Sequence, residues 1–146
     1  MTTDVSLLRS KGGRYAATPG AVPVCYPFSF TASATVGALT DGTGGSLTLP
    51  AGFVLLEVKH NAAGTGGSSP TYLLGIAGDT DAFVANGDAD EGKNVVTFGS
   101  ATAGASMGVA LAADSVVHGG KGSSAATGGT VSGYLVGVVY NTGGAE

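Results

Sequence analysis

Ser106, Asp114 and His118 follow one another in the order nucleophile, acid, base, and Ser106 lies within Gly104-Ala105-Ser106-Met107-Gly108. That pentapeptide matches the G-x-S-x-G nucleophile elbow, whose chemistry needs a sharp strand-to-helix turn at the top of a large α/β sheet. Here all three residues lie between positions 106 and 118, in a stretch that reads as a glycine-punctuated β-hairpin, and the chain has no alternating helices. Next comes Gly119-Gly120-Lys121-Gly122-Ser123-Ser124, which has the look of a phosphate loop. Glycine stands where Ser or Thr should follow the lysine, and no helix follows to aim its amides at an anion. The stretch reads as a mobile surface turn.

Oxygen ligands are the next chemistry to consider. Asp79, Asp81, Asp88, Asp90 and Glu91 make up five of the ten acidic residues, and Asn86, Asp88 and Asp90 have the alternate spacing of a calcium loop. Gly92 comes one place late for its turn, and the twelfth position is Thr97 rather than a bidentate glutamate. Helix capping and a solvated loop account for these carboxylates. His60 and His118 sit at strand ends without partner spacing. The single cysteine, Cys25, allows no internal disulfide and no multi-cysteine metal site. It reads either as a small buried hydrophobe at a junction or as a thiol able to link chains. No catalytic residue, cofactor site or metal site emerges, and the chain does not read as an enzyme.

The elements that would have to position such residues are strands. The 146 residues suit one domain. Charged residues are 11% of the chain, against roughly 25% in an ordinary soluble domain. There are 27 glycines and no tryptophan. A surface so poor in charge is weakly protected against association, so neighbours are expected to cover much of it. The net charge of −4 argues against non-specific nucleic-acid binding. No apolar run approaches the ~18 residues of a membrane span, and Met1–Ser10 lacks the apolar core of a signal peptide.

Residues 1–25 hold Arg9, Lys11 and Arg14, half of the six basic residues, among Gly12–Gly13, Pro19–Gly20 and Pro23. They read as an extended N-terminal arm whose tip Val5, Leu7 and Leu8 could anchor. From Tyr26 the pattern alternates: Tyr26, Phe28, Phe30, Ala32, Ala34 and Val36 against Pro27, Ser29, Thr31, Ser33 and Thr35. After the Pro50–Gly52 turn, Val54, Leu56, Val58 and His60 face one way, and Phe53, Leu55, Glu57 and Lys59 the other. Gly64–Ser69 reads as a flexible loop and Thr71–Ala77 as a strand. The spacing predicts two helical turns over Asp79–Asn86, capped by Asp79 or Thr80 and stopped at Asn86–Gly87. Further strands fit Asn94–Phe98, Met107–Leu111, Ser115–His118 and Thr130–Asn141. The last, apolar on both faces, belongs in the middle of a sheet or against a partner. Gly75, Gly108, Gly133 and Gly137 inside the expected strands point to bulges or close backbone approach. The whole is an all-β, antiparallel β-sandwich or jelly roll of about seven to eight short strands, with the arm at 1–25 and the domain at 26–146.

The run Leu49-Pro50-Ala51-Gly52, then Tyr72-Leu73-Leu74-Gly75-Ile76-Ala77, then Gly78-Asp79-Thr80-Asp81-Ala82-Phe83-Val84, with the closing strand Gly133–Tyr140, resembles a pattern in small structural proteins of tailed bacteriophages. The resemblance covers residues 45–140 and brings no catalytic residues with it. It implies a virion component of the head decoration (cement) type, assembled in the host cytoplasm and placed on the outer surface of the phage head. The expected partners are the major capsid protein and further copies of the chain in a homotrimer, with no nucleic acid and no membrane. Val5, Leu7, Leu8, Arg9, Lys11, Arg14 and Cys25 are the expected capsid or inter-subunit contacts. A tail, collar or fibre component is the alternative within virions, and a carbohydrate-binding module the alternative outside them.

Overall fold

The computed structural model describes residues 20–141, with side chains from 21 to 140. Val5, Leu7, Leu8, Arg9, Lys11 and Arg14 therefore lie outside the described residues. The elements are β1 (Gly20–Thr31), β2 (Gly37–Ala38), β3 (Thr48–Leu49), β4 (Phe53–Ala63), β5 (Thr71–Ile76), β6 (Asp79–Asp88), β7 (Gly92–Thr97), β8 (Ser115–Lys121) and β9 (Thr130–Asn141). They form an antiparallel β-sandwich. One sheet has the order β1-β9-β4-β7; the other has β2-β8-β5-β6, with β3 also paired to β8. The pairings are nested: β1 with β9, β2 with β8, β4 with β7, β5 with β6. The topology is that of one long hairpin wound up, with β9–β4 and β8–β5 contacts closing the two sheets.

The alternation from Tyr26 predicts the inner face of β1 well: Phe28, Phe30 and, just past the strand, Ala32 are buried. They meet Phe53, Leu55, Val58, Val131 and Leu135 from the same sheet and Tyr72, Leu74, Phe83, Val84 and Val117 from the other. Edge-on packing of Tyr26 on Phe53 (5.6 Å) and the tilted Phe30–Tyr72 pair (5.9 Å) add directional contacts to apolar burial. β9 runs mid-sheet between β1 and β4, as its two apolar faces require.

Several readings change. β1 begins at Gly20, not Tyr26: Gly20–Cys25 pair with Val136–Asn141, a complementarity between distant segments that local pattern does not reveal. The strand also ends at Thr31, where the Thr31–Ala34 turn forms. In β4 the register shifts between Leu55 and Glu57. The extra residue of this bulge, Leu56, points outward, so Phe53 and Leu55 share the inner face with Val58 and His60. Strict period-two reading puts them on opposite faces.

Asp79–Asn86 is not helical. Ile76 pairs with Asp79 across a two-residue turn, with Gly78 at φ 89°, so β5 and β6 form a hairpin. Ala82, Phe83 and Val84 are all buried because the connection 98–108 covers the edge of β6, through Ala85 N to Thr102 O and Gly104 N to Phe83 O. Met107–Leu111, expected as a strand, continues that connection toward β8, and the amides of Gly108 and Leu111 bond to Leu55 O and Phe53 O. Gly64–Ser69 is tied down rather than loose. Thr65 is fully buried, its hydroxyl donates to Ala89 O at 2.8 Å, and its carbonyl accepts from Thr127 N.

Candidate functional site

The fold keeps Ser106, Asp114 and His118 apart in role and place. Ser106 N bonds to Ala82 O along the edge of β6. Asp114 Oδ1 accepts from Ala51 N at 2.9 Å and so closes the Pro50–Gly52 turn. His118 lies on β8, and its Nδ1 faces the carbonyl of Val116 at 3.3 Å. None of the three hydrogen-bonds another, and the sharp elbow is absent because Gly104–Gly108 crosses from one sheet to the other. Gly119–Lys121 is the end of β8 rather than a turn.

The carboxylates are likewise accounted for locally. Asn86, at φ 56°, accepts from Ser123 N at 2.7 Å, which pins the segment after β8 to β6. Asp88 Oδ1 accepts from Asp90 N at 2.8 Å and Oδ2 from Asn94 at 3.5 Å. The hydrogen bond that protonated Asp79 can donate to the neighbouring Asp81 carboxylate pushes the Asp79 pKa up. Among the described residues no three His, Cys, Asp or Glu side chains converge.

A buried polar trio, invisible to spacing, ties the sheets together. His60 on β4 is 4% exposed. Its Nε2 lies 2.9 Å from Asp88 O and its Nδ1 3.1 Å from the Tyr72 hydroxyl. A carbonyl only accepts, so Nε2 carries the proton; Nδ1 is then bare and takes the Tyr72 O–H. Burial pushes the His60 pKa down, against the Asp88 carbonyl and carboxylate, and pushes the Tyr72 pKa up. Neutral His60 is thus built into the core. With its nitrogens satisfied and the ring sealed from solvent, the arrangement is structural.

Among the described residues, the broadest apolar surface open to a ligand or partner is the outer face of the β1-β9-β4-β7 sheet. Pairing sets its composition: Ala21, Pro23, Cys25 and Pro27 on β1 stand opposite Tyr140, Val138, Val136 and Tyr134 on β9. Beside Val136 and Tyr134 come Glu57 and Lys59 of β4, then Thr97 and Val95 of β7. Tyr134 is 52% and Tyr140 57% exposed, and Leu56 and Val95 are exposed too. Lys59, Lys93 and Tyr134 border a shallow depression of about 350 Å³ on this face. Cys25 is exposed here, which overturns its reading as a buried hydrophobe.

No family model and no curated protein matches the sequence. A solved structure does match: a chain from the "Cyanophage Pam1 capsid asymmetric unit". The TM-score is 0.50, over 94% of this chain and 97% of that one, at 13% identity. At that identity the likeness is one of fold. It runs nearly the full length of both chains, so it covers the sandwich as a whole rather than one hairpin.

The arrangement as a whole can bind by surface contact. A broad face of tyrosine, valine and proline with three charges suits a macromolecular surface better than a small solute.

Proposed function

We propose that the chain is a bacteriophage virion structural protein, and within that class a capsid decoration protein. In this reading it is a jelly roll that assembles as a homotrimer on the outer surface of the phage head, against the major capsid protein. The observation that carries the reading is the near full-length likeness to a chain of a cyanophage capsid unit. The nested strand pairing, which is that of a wound-up hairpin, supports the jelly roll, an architecture common in viral capsid domains. The mechanism is mechanical: area buried at capsomer junctions opposes the pressure of packaged DNA.

Residues 1–19, with Arg9, Lys11 and Arg14, would extend along the shell to neighbouring subunits. Because β1 runs from Gly20, deleting residues 2–19 spares every ladder bond among the described residues. The truncated protein should stay folded by circular dichroism and fail to bind particles. Full decoration by it would sink the arm's role. Copy number tests the larger reading by quantitative gel of purified virions. Hundreds of copies per particle fit decoration, about six or twelve fit a tail, collar or fibre part, and none would end the virion reading.

The exposed tyrosines favour a second reading, a carbohydrate-binding module. Tyr134 and Tyr140 are six residues apart on one strand, so roughly 20 Å separates them, with Val136 and Val138 between. That is a weak platform for a sugar chain. Retarded migration in polysaccharide-loaded native gels, lost on Tyr134→Ala, would favour it over the virion role.

A further inference from the structure

Edge and face of the β1-β9-β4-β7 sheet differ in what they permit. β1 is an edge strand with Pro23 and Pro27 four residues apart. A proline turned toward β9 would lose a ladder bond, so both ring nitrogens face the free edge and remove donors that strand addition would need. The face beside that edge has no such guard. It presents Tyr134, Val136, Val138 and Tyr140 in a row, flanked by Pro23, Cys25, Pro27, Leu56 and Val95.

We propose that this outer face is covered by a second copy of the chain, in a closed assembly whose symmetry axis runs along β9. The proposal deepens the virion reading and rests on it for the setting in which copies meet. Size supports it. Four strands about 4.8 Å apart, over about ten residues at 3.3 Å each, span about 600 Å². A stable interface covers about 800 Å² on each partner. Phe98 and Val109, 65% and 55% exposed, extend the face at its bulge end, where Phe98 N bonds to Leu56 O and Gly108 N to Leu55 O.

Charge supports a copy of the same chain rather than a strongly charged partner. Glu57 stands beside Val136, Lys59 stands beside Tyr134, and Lys93 is the remaining charge on the face. The face therefore carries both signs next to its apolar strip. A symmetry mate brings a lysine and a glutamate of its own to the same strip, so opposite charges can meet across a twofold or a threefold contact. An exposed tyrosine row at the centre with charges to one side matches the anatomy of such interfaces.

The test uses the full 146-residue chain. Its mass by light scattering should be two or three times that of the monomer. Val136→Lys and Tyr134→Lys should each reduce it to the monomer mass while keeping the wild-type circular dichroism. Tyr134 is exposed, so its variant folds even if the half-buried Val136 position does not tolerate lysine. Cys25, opposite Val136 in the ladder, should react with a maleimide at least tenfold more slowly in the wild type than in the monomeric variant. A monomeric wild type overturns the proposal, as do variants that keep the wild-type mass and thiol reactivity. Virion incorporation is scored separately. A monomer that decorates heads sinks the face and leaves the virion reading; an assembly lost on Tyr134→Lys but absent from virions does the reverse.

Discussion

The two sheets turn very different outer faces to their surroundings. On the β2-β8-β5-β6 side the chain covers itself. A side chain at Gly75 would strike the backbone of Asp79, Thr80 and Ala82, and one at Gly120 the backbone of Val36. On the β1-β9-β4-β7 side nothing in the described chain crosses over. Of the large apolar side chains that are exposed, Val22, Leu56, Val95, Tyr134 and Tyr140 belong to this sheet, and Phe98 and Val109 to the connection after β7; none belongs to the other. The same low-charge composition thus serves two ends. Glycine lets the chain's own backbone close over one face, while the other stays apolar and open.

Neighbouring residues of β9 test this contrast most strongly. Leu135 is fully buried between the sheets, and Tyr134 points to the bare face. Leu135→Ala should cost about 2–5 kcal/mol in urea unfolding. Tyr134→Ala should stay within about 0.5 kcal/mol when both proteins are compared as monomers. A large loss for Tyr134→Ala in a monomer would mean that the face is closed by the chain itself, and the contrast would fail.

Gly75→Ala probes the covered side. The added methyl group has only backbone to displace, so a loss of about 1–3 kcal/mol is expected. Thr97→Ala, on the bare side, should be close to neutral under the same denaturation. Equal effects would show that the β5–β6 crossover yields easily and that the two faces are alike in rigidity.

The polar trio between the sheets should set the pH response. His60 has its folded pKa below its unfolded value of about 6.5, so its contribution is full above pH 6.5 and falls away as the pH drops toward the folded pKa. Tyr72 is shifted the opposite way from about 10, so its contribution is full below pH 10 and falls away as the pH rises beyond it. Unfolding midpoints should therefore form a plateau between about pH 6.5 and 10, with the acid limb flattened in His60→Phe. Tyr72→Phe, which strands Nδ1, should cost about 1–3 kcal/mol on the plateau. If the acid limb survives in His60→Phe, the pH response comes from elsewhere, the Asp88 carboxylate being the nearest charge.

How much of this was legible in sequence depends on the range of the interaction. The inner face of β1 and the central place of β9 follow from alternation alone, since period two is a local property. The facing of β4 does not, because the bulge at Leu56 is set by pairing with β9. The helix expected over Asp79–Asn86 fails for a related reason. Its capping residues and its Ala-Phe-Val run suit a helix locally, but Gly78 makes a hairpin and the segment 98–108 supplies a second partner that buries all three apolar residues. The Ser106–Asp114–His118 order falls in an all-β sandwich, without the strand-to-helix turn of the G-x-S-x-G elbow. The His60–Tyr72 contact could not be read, since 12 residues and two sheets separate the partners. The outer tyrosines carried one signal, the two-sided apolar pattern of β9.

The smallest effect separates charge from packing at the hairpin that turns back over Gly75. Asp79 and Asp81 are exposed carboxyls close enough to share a hydrogen bond, which raises the Asp79 pKa. A raised carboxyl pKa gives a contribution that is full below the unfolded value of about 3.8 and lost as the pH rises through the folded value. At pH 7 the neighbouring carboxylates repel, with solvent screening most of the effect. Asp81→Asn should therefore raise the unfolding midpoint slightly at pH 7, by a few tenths of a kcal/mol, and leave it unchanged at pH 3. A gain of equal size at both pH values would mean that the substitution acts through backbone packing over Gly75, and the closed face would then owe its stability at this corner to shape alone.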